Sequence, residues 1–246
     1  MTLPKTRLDD YLVQAGFALD KKEAQAMILA GEVRIKGNPA KPSDIIKEIA
    51  DVDYRPRAPF VSRGGEKLRG ALKAFQINVQ GLSCMDIGSS TGGFTECLLK
   101  EGAKDVYAID VGRGLLDIKL RNDPRVHVHE GVNIRNVEPS LFGSVPLPFA
   151  VVDVSFISLQ MILPKVAALL SSKGYALVLV KPQFEGTPKE VPGGFVKDEV
   201  TRQTILARVH LFVEDSGFEV KAVADADIKG RKGNQETFFY LLKHPA

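Results

Sequence analysis

Hydrophobic and polar positions along the chain change period near residue 55. Before it, Leu8, Tyr11 and Leu12 fall at helical spacing, and Gly16 is placed to stop that helix. Asp20 is a natural N-cap for a second helix, with Glu23 positioned to complete a capping box. Ala24, Met27, Ile28 and Leu29 form that helix's apolar face, and Gly31 ends it. Val33 and Ile35 then alternate with Arg34 and Lys36, the pattern of a half-buried strand with a basic outer row. From residue 81 onward the pattern becomes short β-rich runs alternating with helical stretches. The runs are SCMDI, DVYAIDV, VHVHE, FAVVDVSF, YALVLVKP and ETFFYLLKH. The helices include TECLLKEG, LQMILPKVAALLSS and EVTRQTILARVHLFVEDSG. Such alternation predicts an α/β domain with a parallel sheet covered on both faces.

Between the two regions lies YRPRAPFVSRGGEKLRGALKAF. Its Arg-Pro-Arg-Ala-Pro run is extended and stiff, as in a linker. A helix is predicted to begin after Gly64-Gly65, with Leu68, Leu72 and Phe75 on one face. The expected division is residues 1–55, a linker over 56–62, and a second domain over 63–246.

Composition narrows the function classes. The 246 residues are 44% hydrophobic and 26% charged, ordinary for a globular protein. The two cysteines, Cys84 and Cys97, make no disulfide framework and no metal-ligand set, so a reducing cytoplasm is the expected location and no metal is expected. The first residues lack the apolar core of a signal peptide, and no apolar run reaches the roughly 20 residues of a membrane span. The net charge is +3. Residues 1–73 hold 14 Lys and Arg against 10 Asp and Glu, which hints that this end meets a polyanion.

The stretch CMDIGSSTGGFTECLLK, residues 84–100, carries candidate chemistry: a strand, an acid, a glycine turn and a helix. A phosphate-binding P-loop needs Lys-Ser/Thr after its last glycine, and Gly93 is followed by Phe94-Thr95. The dinucleotide spacing G-x-G-x-x-G is also missing. Asp110, about 20 residues beyond the glycines and ending a strand, is where a carboxylate meets ribose hydroxyls.

This D-x-G-x-x-x-G-G-F pattern with its second acid resembles the S-adenosyl-L-methionine loop of Rossmann-like methyltransferases. A sulfonium cofactor without a phosphate explains a glycine turn without a lysine. The resemblance implies that Asp86 orients the methionine amino group. It implies that the backbone around Gly88, Ser89, Ser90, Gly92, Gly93 and Phe94 approaches the cofactor, with Asp110 and Val111 on its ribose side. Asn133 is expected at the adenine edge, and Asp153 beside the cofactor.

Residues 5–53 resemble the αL, or S-four-type, RNA-binding module on RLD, the Ala15-Gly16 pair, Gly31 and VRIKG. Asp20-Lys21 stands where that module usually has Ser-Arg. Arg7, Lys21, Lys22, Arg34 and Lys36, with Arg63 beyond the linker, are the expected RNA contacts. Lys67, Asp153, Lys181 and Glu236 resemble the catalytic tetrad of FtsJ-like RNA 2′-O-methyltransferases. Together with SRGGEKL, VVDVSFISL, VKPQFE, GGFVKD and IKGRKGNQE, the chain resembles the TlyA family, called haemolysins or ribosomal RNA 2′-O-methyltransferases. The implied fold is a Rossmann-like class I methyltransferase domain, with a mainly parallel seven-stranded sheet and helices on both faces, behind a small α+β RNA-binding domain.

The implied substrate is ribosomal RNA in a ribosomal subunit, a cytidine of the large subunit foremost and the small subunit as a further target. Lys181 is expected either to accept the ribose hydroxyl's proton as a neutral amine or to stabilise the developing oxyanion as a cation. The Gly- and Pro-rich stretch FEGTPKEVPGGFVKDEV is expected to act as a lid. An RNA-binding assembly factor without turnover and a membrane-active haemolysin are the competing classes. Oligomeric state is left open, a monomer being compatible.

Overall fold

A computed structural model describes residues 2–48, 51–54, 58–143, 146–230 and 233–244. The Arg55-Pro56-Arg57 part of the expected linker lies outside the described residues, as do Arg231 and Lys232 of the IKGRKGNQE motif. The chain folds as two compact units, Met1–Ala58 and Pro59–Ala246.

The first unit runs β1 (Thr2–Arg7), α1 (Leu8–Gln14), α2 (Lys21–Leu29), β2 (Val33–Ile35), β3 (Asn38–Pro39), β4 (Ile45–Glu48) and β5 (Val52–Tyr54). Strands β1 and β4 pair antiparallel, and β2 lies between β3 and β5. Leu8, Tyr11, Leu12, Ala24, Met27, Ile28 and Val33 share its small core. Asp20 caps α2 by accepting from the Glu23 amide at 2.8 Å. Glu23 returns the contact to the Leu19 amide, one residue before the cap. Leu29 departs from expectation: it is 78% exposed, because the helix ends there and its last turn leaves the core.

The second unit runs α3 (Arg63–Ala74), β6 (Ser83–Ile87), α4 (Gly93–Lys100), β7 (Asp105–Asp110), α5 (Ile118–Arg121), β8 (Val126–Glu130), β9 (Leu147–Val152), α6 (Leu163–Leu169), β10 (Leu170–Val180), α7 (Pro182–Glu185), α8 (Glu199–Asp215), β11 (Phe218–Asp225) and β12 (Thr237–Lys243). Helix α3 starts before the glycine pair rather than after it. Gly65 lies against the Phe60 ring, and a side chain there would overlap it, so the pair serves close packing inside the first turn.

One seven-stranded sheet has the order β11-β12-β10-β9-β6-β7-β8. The five strands from β10 to β8 are parallel, and β12 runs antiparallel to both β10 and β11. The central strands are buried on both faces, which explains their continuous apolar runs. In β9, Phe149 and Val151 join one core layer, while Ala150 and Val152 join the other. Strand β11, absent from the sequence-based reading, alternates Phe218, Val220, Ala222 and Ala224 at the sheet edge.

The chain winds outward from β6 in both directions, so the switch in strand order falls between β6 and β9. A crevice opens there at the carboxyl ends of the strands. Gly88, just past β6, has φ +84°, and an added Cβ would overlap the carbonyl oxygen of Asp153 just past β9. Gly114 has φ +68° but open space around the same position. Gly114→Ala is expected to cost about 1 kcal/mol from its left-handed backbone alone. Gly88→Ala, which adds a clash with backbone, is expected to cost at least about twice that in denaturant unfolding. Equal losses would show that the approach of the two strand ends is not under steric control.

Candidate active site

The turn after β6 is built from backbone amides. Gly88 donates to the Ile109 carbonyl at 2.8 Å, and Gly92 to the Ser89 carbonyl at 2.8 Å. Asp110, the last residue of β7, accepts from the Ser90 amide at 2.8 Å and the Gly112 amide at 2.7 Å. Its two oxygens are thereby oriented beside the turn. Ser90 holds a left-handed φ of 49°, a strained conformation for a non-glycine residue next to a cavity.

Asp86 is wholly buried under this turn. One oxygen accepts from Thr95 Oγ1 at 2.6 Å, while Oδ1 is buried without a partner. Burial pushes its pKa up to about 7, against the Thr95 hydrogen bond; the negative charges of Asp153 and Asp110 add to the rise. Thr95 was not singled out from sequence, although it ends the DIGSSTGGFT run two residues beyond the glycines. Asp86 lines neither of the two main cavities, and neither does Gly92, which packs against Leu116 and Leu120 instead.

The first of these cavities, about 450 Å³, is largely apolar, with Ile109, Leu115, Ile157 and Ile162 in its wall. Asp110, Val111 and Asn133 also line it. The Asn133 side-chain oxygen accepts from the Arg135 amide at 3.1 Å and Arg135 Nε at 3.3 Å. Only its amide nitrogen is left to face a ligand. An apolar slot, an oriented carboxylate, a bare glycine turn and the orphaned Asp86 oxygen beneath it together fit an adenosine-bearing sulfonium.

The second cavity, about 460 Å³, adjoins the first and shares Gly88, Ser90, Asp153, Ser155 and Phe156 with it. All four tetrad residues line it, along with Ser89, Gly93, Phe94 and Arg63. Lys67, from α3, donates to Glu236 Oε2 at 2.6 Å, and both side chains are nearly buried. Lys181 Nζ lies 2.6 Å from Asp153 Oδ1, but the aligned hydrogen bond from this ammonium goes to Ser155 Oγ at 2.9 Å. The Asp153 contact is thus an ion pair without hydrogen-bond geometry, which leaves that oxygen without a hydrogen-bond donor. The amines are distributed one to each carboxylate, rather than set side by side.

Three further polar residues at this site were missed in the sequence. Ser155 stands two residues from Asp153, and Gln183 lines the cavity with its side-chain oxygen buried and unpartnered. Asn234, nearly buried, accepts from the Val196 amide at 3.0 Å and donates to the Gly194 carbonyl at 2.9 Å. It fixes the expected lid segment, which begins within α7, at Phe184, and includes a short helical turn over Pro192–Gly194. Each lies within a quoted motif, yet a small polar residue has no periodicity to mark it.

In the first unit, the expected RNA contacts differ in availability. Arg7 grips the buried Asp9 with two hydrogen bonds, at 3.0 and 2.8 Å, and holds that carboxyl well below the usual range. Lys21 pairs with Asp10 at 2.8 Å. Arg7 and Lys21 are therefore committed to an internal network, because Asp9 and Asp10 open the helix beside them. Arg34 donates to the Gly37 carbonyl at 3.2 Å, and Lys36 lies 3.4 Å from Asp51. Lys22 is exposed in the first unit, and Arg63 is exposed in the second at the catalytic cavity.

The raised pKa of Asp86 has a measurable sign. Between about pH 4 and 7 the folded protein keeps a proton that the unfolded chain releases, so this group's contribution to stability falls as pH rises. Asp86→Asn is expected to gain stability relative to the native sequence as pH rises from 5 to 8, by on the order of a few kcal/mol. Parallel stability curves for the two proteins in denaturant unfolding would rule out the raised value.

Comparison with known proteins places the chain in sequence space. Residues 60–243 match the FtsJ-like methyltransferase family, and residues 6–52 match the S4 domain. A Mycobacterium tuberculosis protein named 16S/23S rRNA (cytidine-2′-O)-methyltransferase TlyA is 42% identical over 96% of this chain and 90% of its own. A Brachyspira hyodysenteriae protein named Hemolysin A is 40% identical over 96% of this chain and 99% of its own. A solved structure from Streptococcus thermophilus, given a provisional hemolysin description, is 39% identical. It covers 98% of this chain and 89% of that one, with a TM-score of 0.75. The glycine turn, the two adjoining cavities and these matches converge: the chain belongs to the FtsJ-like methyltransferase family, carrying an S4 domain ahead of the methyltransferase fold.

Proposed function

We propose that this protein transfers a methyl group from S-adenosyl-L-methionine to the 2′-hydroxyl of a cytidine in ribosomal RNA, in the cytoplasm. The observation that carries this reading is the junction of two cavities across Gly88 and Asp153. One is apolar and fitted to an adenosine; the other holds two lysines and two carboxylates. The cytidine, and the large subunit as first target with the small subunit as a second, rest on similarity to the relatives named above. Among the described residues no helix is long and apolar enough to cross a membrane.

The bound cofactor would supply an electrophilic methyl on sulfur. Ile109, Leu115, Ile157 and Ile162 would enclose its adenosine, with Asp110 receiving the ribose hydroxyls. Asp86 would take the amino group, directly or through water, where an ammonium would favour the ionised carboxylate that burial alone disfavours. In the adjoining cavity the chain must hold a weakly acidic hydroxyl and manage its proton. Lys181 is the residue for that proton, and Asp153 holds it in place. Lys67 and Glu236 form the opposite wall as a neutral pair. A buried pair of this kind seldom adds net stability over apolar residues, so its retention suits a polar substrate. A neutral Lys181 would accept that proton directly. A charged Lys181 would instead stabilise the oxygen as it develops negative charge.

Lys181→Ala is expected to reduce methyl transfer to ribosomal subunits by at least about a thousandfold while changing cofactor affinity little. Labelled cofactor with each purified subunit, followed by mapping of 2′-O-methylated positions, measures this and identifies the nucleotide. Transfer to a base rather than a ribose, or an active Lys181→Ala variant, would reject the reading.

A further inference from the structure

Lys181 is held by two acceptors of unequal alignment. Ser155 Oγ receives its hydrogen bond at 2.9 Å, and Asp153 Oδ1 lies 2.6 Å away as an ion pair without hydrogen-bond geometry. On another side the Phe184 ring, centred 6.0 Å from Nζ, offers no lone pair in a fixed direction. Ser155 lines both the adenosine cavity and the catalytic cavity, whereas Lys181 faces only the second. The residue after it, Phe156, is 90% exposed and held at a left-handed φ of 64°. For a bulky side chain that conformation is strained, and strain kept at a cavity mouth points to a positional requirement.

We propose that Ser155 is a positioning residue for methyl transfer, which fixes the rotation of the Lys181 amino group so that one direction is left for the ribose oxygen. This rests on the function proposed above. A tetrahedral nitrogen carries three substituent directions besides its carbon. Ser155 takes one of them by its hydrogen bond, Asp153 lies against another side of the nitrogen as an ion pair, and Lys181 lines the cavity with what remains. As an ammonium, Lys181 donates along the direction left; as an amine, it presents its lone pair there. In the transfer step the 2′-oxygen would bond to the methyl carbon and the carbon–sulfur electron pair would remain on sulfur, while the hydroxyl proton would pass to Nζ where Lys181 is the amine, or to solvent where it is the ammonium. With Ser155 removed, the flexible lysine stem would rotate among several orientations against Asp153 alone. The bound substrate would still fit, but fewer complexes would be productively aligned.

Ser155→Ala, Ser155→Thr and Lys181→Ala are compared in steady-state methylation of ribosomal subunits across pH 6 to 9.5, with S-adenosylhomocysteine binding followed by calorimetry. Ser155→Ala is expected to lower kcat about ten- to a hundredfold, with KM for the subunit and affinity for S-adenosylhomocysteine within about twofold. Its pH–rate profile should shift, and Ser155→Thr should recover most of the rate. An inactive Lys181→Ala beside a Ser155→Ala enzyme of normal kcat and pH profile would overturn the role of Ser155 while leaving the proposed function standing. A loss of S-adenosylhomocysteine affinity parallel to the loss of kcat, or no recovery by threonine, would also overturn it. An active Lys181→Ala enzyme would instead remove the function on which the inference depends.

Discussion

The contact of the Gly88 backbone with the Asp153 carbonyl is the constraint from which the site follows. Strands β6 and β9 are neighbours at the point where strand order reverses, so the crevice is widest there. Only a residue without a Cβ lets the two strand ends close over that crevice without blocking it. As a result Asp153 becomes a shared wall, belonging at once to the apolar cavity and to the one lined by the two lysines and two carboxylates. Distance between the two chemistries is thus set by backbone packing and not by flexible side chains.

The second organising feature is electrical. Two amines and two carboxylates meet in one cavity, drawn from α3, from the residues that follow β9 and β10, and from the residue that precedes β12. Each ammonium has one carboxylate, and Arg63 at the same cavity adds one further positive charge. Asp86 is the exception: it has no cation among the described residues, and burial raises its pKa to about 7. The empty oxygen and the missing positive charge describe the same need, which an amino group would meet. The two polar clusters therefore differ: the amines of the cavity face carboxylates, whereas Asp86 faces no cation among the described residues.

Much of this was legible in the sequence, and the limits have physical causes. Parallel strands buried on both faces advertise themselves as apolar runs, so β6, β7, β9 and β10 were readable. The edge strand β11 buries only one side and shows only alternation, with small alanines weakening the contrast. Motif resemblance brought Lys67, Asp153, Lys181 and Glu236 forward, and the fold does gather them at one cavity. It could not reveal which amine faces which carboxylate, since Lys67 and Glu236 are 169 residues apart. Gly92 and Gly93 illustrate the same limit. They are adjacent and chemically identical, yet one packs on leucines while the other lines the cavity. Only the φ of 97° at Gly92, which turns the chain into α4, separates them.

Charge counted along a sequence is a weaker guide than charge left over after pairing. The positive excess over residues 1–73 suggested that the first domain meets RNA. Yet residues 1–58 hold 10 Lys and Arg against 9 Asp and Glu, so most of the excess belongs to the segment around α3. Within the first unit, Arg7 and Lys21 are spent on Asp9 and Asp10. A guanidinium engaged at both its Nε and Nη2 by a buried carboxylate gives up two charge-assisted hydrogen bonds if it turns to a phosphate, leaving Asp9 to the Gln25 amide, the Asp10 backbone amide and Lys21. Exposed lysines such as Lys22 carry no such penalty, and a surface of this kind would bind a backbone through a few free cations and its shape, more than through its net charge.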